Sequence, residues 1–151
     1  MEPSKNEPRI RVAAIVLRED AILLVKHAKA GRAYWMLPGG GVDYGESLTK
    51  ALAREVREET CVEIEANALV LVNDSIPPDG HRHILNLYFT ADLIVGEART
   101  GIDPRVVEAA FLPVAQLTEV AFFPDFGGEL KAMIAAGFPN SATYLGNLWK
   151  D

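Results

Sequence analysis

Residues 10–17 read IRVAAIVL, an apolar, β-branched run, Arg11 apart, that predicts a buried strand. The polar Arg18-Glu19-Asp20 interrupts it, and residues 21–26 (AILLVK) resume it, so the two runs predict a hairpin. Residues 27–34 read as a basic loop carrying Lys29 and Arg32. Trp35-Met36-Leu37 is a short apolar stretch that Pro38-Gly39-Gly40-Gly41 ends abruptly. From 47 to 60 the period changes. Leu48, Ala51, Leu52 and Val56 recur at helical spacing, and Ser47 stands where a hydroxyl would accept from a free first-turn N–H, so a helix is predicted.

Residues 62–72 alternate as a strand, 73–80 (NDSIPPDG) read as a loop, and 84–95 (ILNLYFTADLIV) as a long strand. Residues 96–105 form a loop, 109–112 a short strand, 114–117 a helical turn and 126–136 a C-terminal helix. The tail 137–151 carries Tyr144, Leu145, Leu148 and Trp149 and is too apolar to stay free in water. Strands on both sides of a central helix, with a second helix at the end, predict a mixed sheet covered by helices, an α/β sandwich. Residues 1–9 are expected to be a flexible tail and 10–151 a single domain.

Composition narrows the partners. The chain has 151 residues, 49% hydrophobic and 24% charged, with a formal net charge of −6. It has no basic stripe to displace counterions, which argues against a nucleic-acid polymer as partner. One cysteine, Cys61, precludes an internal disulfide and suits a reducing, cytoplasmic location. The N-terminus lacks the apolar core of a signal peptide, and no run is long enough to span a membrane, so no membrane association is expected.

The chemistry concentrates in residues 40–62. Glu55, Glu58 and Glu59 stand at i, i+3 and i+4, which places three carboxylates on one helical face. Like charges at this spacing repel, and a hard dication offsets that repulsion well. Alone, such a triplet is usually only a solvated acidic face. The surrounding spacing changes that reading: Gly40, five residues, Glu46, seven residues, Arg54-Glu55-Val56, one residue, Glu58-Glu59, one residue, Cys61-Val62. This pattern resembles the box of the Nudix hydrolases, the MutT-like enzymes, at every fixed position except one. Cys61 stands where the family carries its second glycine. The lead-in Trp35-Met36-Leu37-Pro38-Gly39-Gly40 is also similar to the family's.

The resemblance implies a Nudix-type α/β/α sandwich and hydrolysis of a diphosphate linkage in a nucleoside diphosphate derivative (ADP-ribose, a nucleotide sugar or a nucleoside triphosphate). By the same resemblance, Glu55, Glu58 and Glu59 would bind Mg²⁺, or Mn²⁺ as substitute, with the Gly39 carbonyl as a further ligand. Arg54 would orient a glutamate, while Glu46 and Gly40 would support the site. The general base stays open between Glu55 and Glu58 inside the box and Glu97 and Glu108 outside it. Arg32, Arg82 and Lys26 are candidates for phosphate contacts, and Tyr34, Trp35 and Phe123 for stacking on a base, with core packing the default for Trp35. Pro77 and Pro78 fall about where ADP-ribose-cleaving members carry a proline. His81 and His83 read as structural or solvent-facing, and Tyr144 and Trp149 as packing the tail or a homodimer contact. A Nudix-fold module that binds a nucleotide without cutting it is the alternative.

Overall fold

The computed structural model describes residues 6–149. Its elements, in chain order, are β1 (Arg9–Arg18), β2 (Ala21–Lys29), β3 (Arg32–Met36), β4 (Gly39–Gly41), α1 (Leu48–Thr60), β5 (Glu63–Ser75), β6 (Ile84–Val95), β7 (Val106–Pro113), a 3₁₀ turn (Val114–Thr118), α2 (Gly127–Ala136) and β8 (Thr143–Asn147).

The apolar run of β1 has a simple cause, which is that both of its faces are covered. Val12, Ala14 and Val16 pack with Ala51, Leu52 and Val56 of α1. The alternate residues Ala13 and Ile15 pack with Leu117, Phe126 and Leu130 on the opposite side. The sheet is mixed and lies between α1 and α2, an α/β/α sandwich as expected. β1 runs parallel to β6 from the Arg9↔Ile84 pair to Val16↔Ala91.

The hairpin between β1 and β2 is present but short, since the strands pair only at Leu17↔Ile22 and Arg18↔Ala21. Beyond those pairs they separate. β2 joins β3 and β7, while β1 is flanked by β6 and by the small strand β4, whose Gly39 to Gly41 pair with Ala13 to Arg11. β4 thus occupies the place beside β1 that β2 vacates, and this split positions the glycine loop against α1.

Three expectations need correction. Residues 27–34 are not a loop: β2 continues to Lys29 and β3 begins at Arg32, with only Ala30 and Gly31 turning between them. Both have positive φ (52° and 77°), as a two-residue hairpin turn requires. The basic side chains hid an edge strand whose outer face is wet. Residues 73–75 belong to β5 rather than to a loop, because buried Asn73 and Ser75 bond each other and the polar groups around them. The tail holds a strand, β8, parallel to β5 from the Leu71↔Thr143 pair to Asp74↔Asn147. Asn147 anchors it by accepting from the Ile76 N–H (3.0 Å) and donating to the Ile76 carbonyl (3.1 Å). At the other terminus β1 starts at Arg9, one residue inside the expected tail, and residues 1–5 lie outside the described ones.

Candidate active site

Helix α1 starts where its cap predicts. Ser47 has extended backbone, and its hydroxyl accepts from the Lys50 N–H at 3.3 Å. Ala51, Leu52 and Val56 are fully buried, and that docking turns the carboxylate face toward β4. The three glutamates share this face but have different surroundings. The Glu59 side chain is 2% exposed, against 12% for Glu55 and 34% for Glu58.

Glu59 is held from the loop. Its Oε1 accepts the Gly39 N–H at 2.7 Å, and its Oε2 lies 3.4 Å from His27 Nε2. Glu55 lies against Gly40, where an added Cβ would meet its carboxyl group at 2.3 Å. Gly39 is packed as closely, with an added Cβ 2.0 Å from the Val12 carbonyl oxygen. Any side chain at these two positions would either push β4 off β1 or displace a carboxylate.

Arg54 organises the rest. Its Nε and Nη2 donate to the two oxygens of Glu46, both at 2.8 Å, and Nη1 donates to Glu55 Oε1 at 2.9 Å. Nη2 also reaches the Gly41 carbonyl (3.2 Å), and Nη1 stands 3.5 Å from Glu58. This forked bonding holds the Glu46 carboxyl down to about 2, helped by the Asp43 N–H. Glu55 shifts the other way: burial raises its pKa, and repulsion from Glu58 and Glu59 adds to this, against the opposing pull of Arg54.

The 96–105 loop closes over the end of α1. The Arg99 N–H bonds the Thr60 carbonyl and the Ile102 N–H bonds the Glu58 carbonyl, both at 3.0 Å. Cys61 takes the left-handed conformation (φ 64°, ψ 14°), and its N–H returns to the Arg57 carbonyl. Farther along the loop, Asp103 grips Arg105 through two bonds (3.0 and 2.7 Å), which lowers the Asp103 pKa and raises that of Arg105. The fields of Glu59 and Glu55 also act on Arg105, and that of His27 on Asp103.

Beside the glycine loop, a small open cleft of about 30 Å³ has Met36, Leu37 and Phe123 on its wall and Arg11 and Arg82 among its lining. Its polar lining is a buried chain. Tyr88 donates to Asn73 (2.6 Å), while Asn73 (3.4 Å) and Asn86 (3.2 Å) both donate to Ser75.

A family model described as the NUDIX domain matches residues 7–132. The chain belongs to the Nudix hydrolase family. As a Nudix enzyme it is a pyrophosphohydrolase. It is 33% identical over 116 residues to the ADP-ribose pyrophosphatase of Methanocaldococcus jannaschii, covering 76% of this chain and 68% of that protein. It is equally identical over 116 residues to the putative ADP-ribose pyrophosphatase YjhB of Bacillus subtilis, covering 73% of this chain but only 52% of that one, so it spans about half the length of that relative. The solved NUDIX hydrolase from Nitrosomonas europaea shares the fold with a TM-score of 0.77 at 22% identity, over 89% of this chain and 94% of that one.

The Nudix fold brings together Gly39, Gly40, Glu46, Arg54, Glu55, Glu58 and Glu59. It disperses most of the other candidates. Glu97 is 88% exposed and pairs with Arg18 at 3.8 Å, and Glu108 is exposed on β7 opposite Lys26. Lys26 lies over the Trp35 ring (5.7 Å), and Trp35 packs against the core. Arg32 is exposed at the start of β3, paired in register with Lys29. Arg82 does line the cleft, with its guanidinium 5.4 Å from the Trp149 ring centre. Phe123 also lines it, between Tyr34 (5.8 Å) and Trp149 (6.5 Å). His81 pairs with Asp79 and His83 with Asp74. The sequence reading missed His27, Asp103, Arg105 and Arg11. None sits in a local pattern, because strand pairing alone brings them in, as in the His27↔Val106 match of β2 with β7.

Proposed function

We propose that the box hydrolyses the diphosphate bond of a nucleoside diphosphate derivative, ADP-ribose or a close relative, with Mg²⁺ or Mn²⁺ held by Glu55, Glu58 and Glu59. The observation that carries this is the Arg54 fork, which pins Glu46 and Glu55 while α1 turns Glu58 and Glu59 to the same side. The names of the archaeal and Bacillus relatives support the ADP-ribose class.

The residues suit a hard cation. The donors are carboxylate oxygens, and Gly40 leaves a cradle that a Cβ would fill. Among the described residues no three such side chains already converge as a closed cage. Magnesium does not need one, since it keeps several waters and shares its remaining positions with substrate phosphates. When bound, the ion supplies charge neutralisation on the diphosphate and acidifies a water for attack on phosphorus.

The protein's own residues do the positioning. Arg54 and the Gly39 N–H fix Glu55 and Glu59, and the bare Gly39 and Gly40 let β4 lie close against β1 and the Glu55 carboxylate. The nucleoside lies over the surface around the small cleft: Phe123 offers a ring face, and Arg11 and Arg82 offer cations for the charged end. The base that deprotonates the water is proposed within the box, from Glu55 or Glu58. The lone Cys61 is in keeping with a cytoplasmic setting.

A hydrolysis screen over ADP-ribose, nucleotide sugars, dinucleoside polyphosphates and nucleoside triphosphates, with products identified by mass, tests this reading. The expected result is AMP plus ribose 5-phosphate from ADP-ribose, abolished by EDTA and by Glu59→Gln. Tight binding without turnover across the panel would establish the non-catalytic module instead.

A further inference from the structure

Glu59 has neighbours on two sides, and of these only the Gly39 N–H bonds it. The second is His27 in β2. Its Nε2 is buried, stands 3.4 Å from Glu59 Oε2, and is too poorly aligned to count as hydrogen-bonded. It is the one fully buried side-chain nitrogen or oxygen among the described residues that lacks a hydrogen-bond partner. Such orphans are rare in folded proteins because desolvation is costly, and they mark places where a group is engaged in another state.

The surroundings aim the ring. Between Lys26 and His27 the pairing with β7 shifts register, so β7 advances from Glu108 to Val106 while β2 advances one residue. A bulge of this kind redirects a side chain, and bulges are over-represented beside active sites. The Tyr34 ring packs at 5.9 Å, tilted 32°, against the imidazole. The Asp103–Arg105 pair borders the same place, since Asp103 feels His27 and Arg105 feels Glu59.

We propose that His27 is a positioning residue that donates from Nε2 to Glu59 Oε2 when the site is loaded, fixing the carboxylate's rotation together with the Gly39 N–H on Oε1. A shift of a few tenths of an ångström together with a turn of the ring that aims Nε2 at Oε2 makes the 3.4 Å contact a hydrogen bond. With each oxygen holding one protein donor, each keeps a lone pair directed at the cation. The neutral imidazole suffices, provided the proton is on Nε2. Outer-shell donors of this type change metal affinity about 10- to 100-fold. The inference rests on Glu59 being a metal ligand.

The test is Mn²⁺ affinity of the full chain without substrate, read by electron paramagnetic resonance of the free ion, for the unmodified protein and for His27→Phe, His27→Gln and Glu59→Gln. His27→Phe keeps the ring against Tyr34 but lacks the donor, so it is expected to weaken Mn²⁺ binding about 10- to 100-fold. His27→Gln restores a donor and is expected to recover most of the loss, which a merely structural role would not predict. Unchanged affinity in His27→Phe, with loss in Glu59→Gln, overturns the role of His27 alone. Unchanged affinity in Glu59→Gln overturns the metal reading and this inference with it. If His27→Phe does not fold, ¹⁵N NMR of the unmodified imidazole decides. A proton on Nε2 whose shift moves on adding Mg²⁺ supports the proposal, and a bare Nε2 overturns it.

Discussion

Arg54 and Glu46 meet through two parallel bonds of equal length, 2.8 Å from Nε and from Nη2, although Glu46 lies outside the helix that carries Arg54. The pair locks the approach to α1 onto its second turn. Its third guanidinium nitrogen, Nη1, is left for Glu55. Arg54→Lys keeps the charge but cannot bond both carboxylates in this planar fork. Its kcat is expected to fall about 10- to 100-fold, with a small change in melting temperature, measured by steady-state kinetics and calorimetry on one preparation. Wild-type kcat in this variant would show that the fork is not needed. The same pair sets a pH expectation. Glu46 is depressed to about 2, so its contribution is complete above the unfolded value of 4.5 and fades only as pH falls from there through about 2. A loss of activity between pH 5 and 7 therefore comes from another group, and Glu46→Gln should leave that part of the profile in place.

Glycines 39 and 40 separate stability from function. Gly39→Ala drives a Cβ into the Val12 backbone, which cannot yield without parting β4 from β1, and is expected to cost about 1–3 kcal/mol of stability. Gly40→Ala meets only the mobile end of the Glu55 side chain. It should unfold close to the wild-type temperature while losing most of its metal-dependent turnover. Equal melting temperatures for the two variants would contradict the packing described for β4.

Cys61 holds a left-handed backbone that glycine adopts freely. Cys61→Gly is expected to stabilise the chain by up to about 1 kcal/mol, the usual cost of a side chain there less the extra freedom glycine gives the unfolded state. Turnover should not change, because the weak Sγ contact with the Thr100 carbonyl (3.5 Å) is the side chain's only bond among those described. Urea denaturation with an unchanged slope checks this.

Asp74 ties the C-terminal strand to the sheet. It accepts from His83 at 2.7 Å and from the Tyr144 hydroxyl, and those two bonds, His83 first, hold its carboxyl below the ordinary value. A carboxylate depressed in the folded state contributes stability that is complete above the unfolded value of 3.8 and is lost as pH falls below it. Amide protection factors at Asn147 and Leu148, with the intrinsic pH dependence of exchange removed, should therefore fall below about pH 4 before the core opens. Asp74→Ala is expected to produce the same local opening at neutral pH, at a cost of about 1 kcal/mol. Uniform protection across β8 and β6 under both conditions would refute the coupling.

The cleft carries a binding expectation. Arg82 lies in its lining, outside the carboxylate cluster, so Arg82→Ala should raise KM severalfold for the substrate with little effect on kcat, the pattern of lost uniform binding. A fall in kcat with KM unchanged would place Arg82 at the reacting bond instead.

Much of the carboxylate cluster was legible because it is local. The i, i+3, i+4 spacing of Glu55, Glu58 and Glu59, the Ser47 cap and the docked face of Leu48, Ala51, Leu52 and Val56 all lie within one helix, whose geometry follows from short-range bonds. The strands 10–17 and 84–95 were equally readable, since β1 is covered on both faces and its composition says so. Less legible were β3, whose basic residues are those of a wet edge, and β8, a short parallel strand that exists only because β5 and Asp74 receive it.

Residue order alone settled which carboxylates cluster and which glycines must stay bare beside them. The folded sheet settled what surrounds the cluster. Because β1 and β2 part after two pairs, β4 slips in beside β1 and delivers the Gly39 N–H to Glu59, while the bulged pairing of β2 with β7 sets His27 on the other oxygen. No spacing along the chain encodes such meetings, because strand pairing joins distant segments through backbone bonds that are nearly blind to side-chain identity.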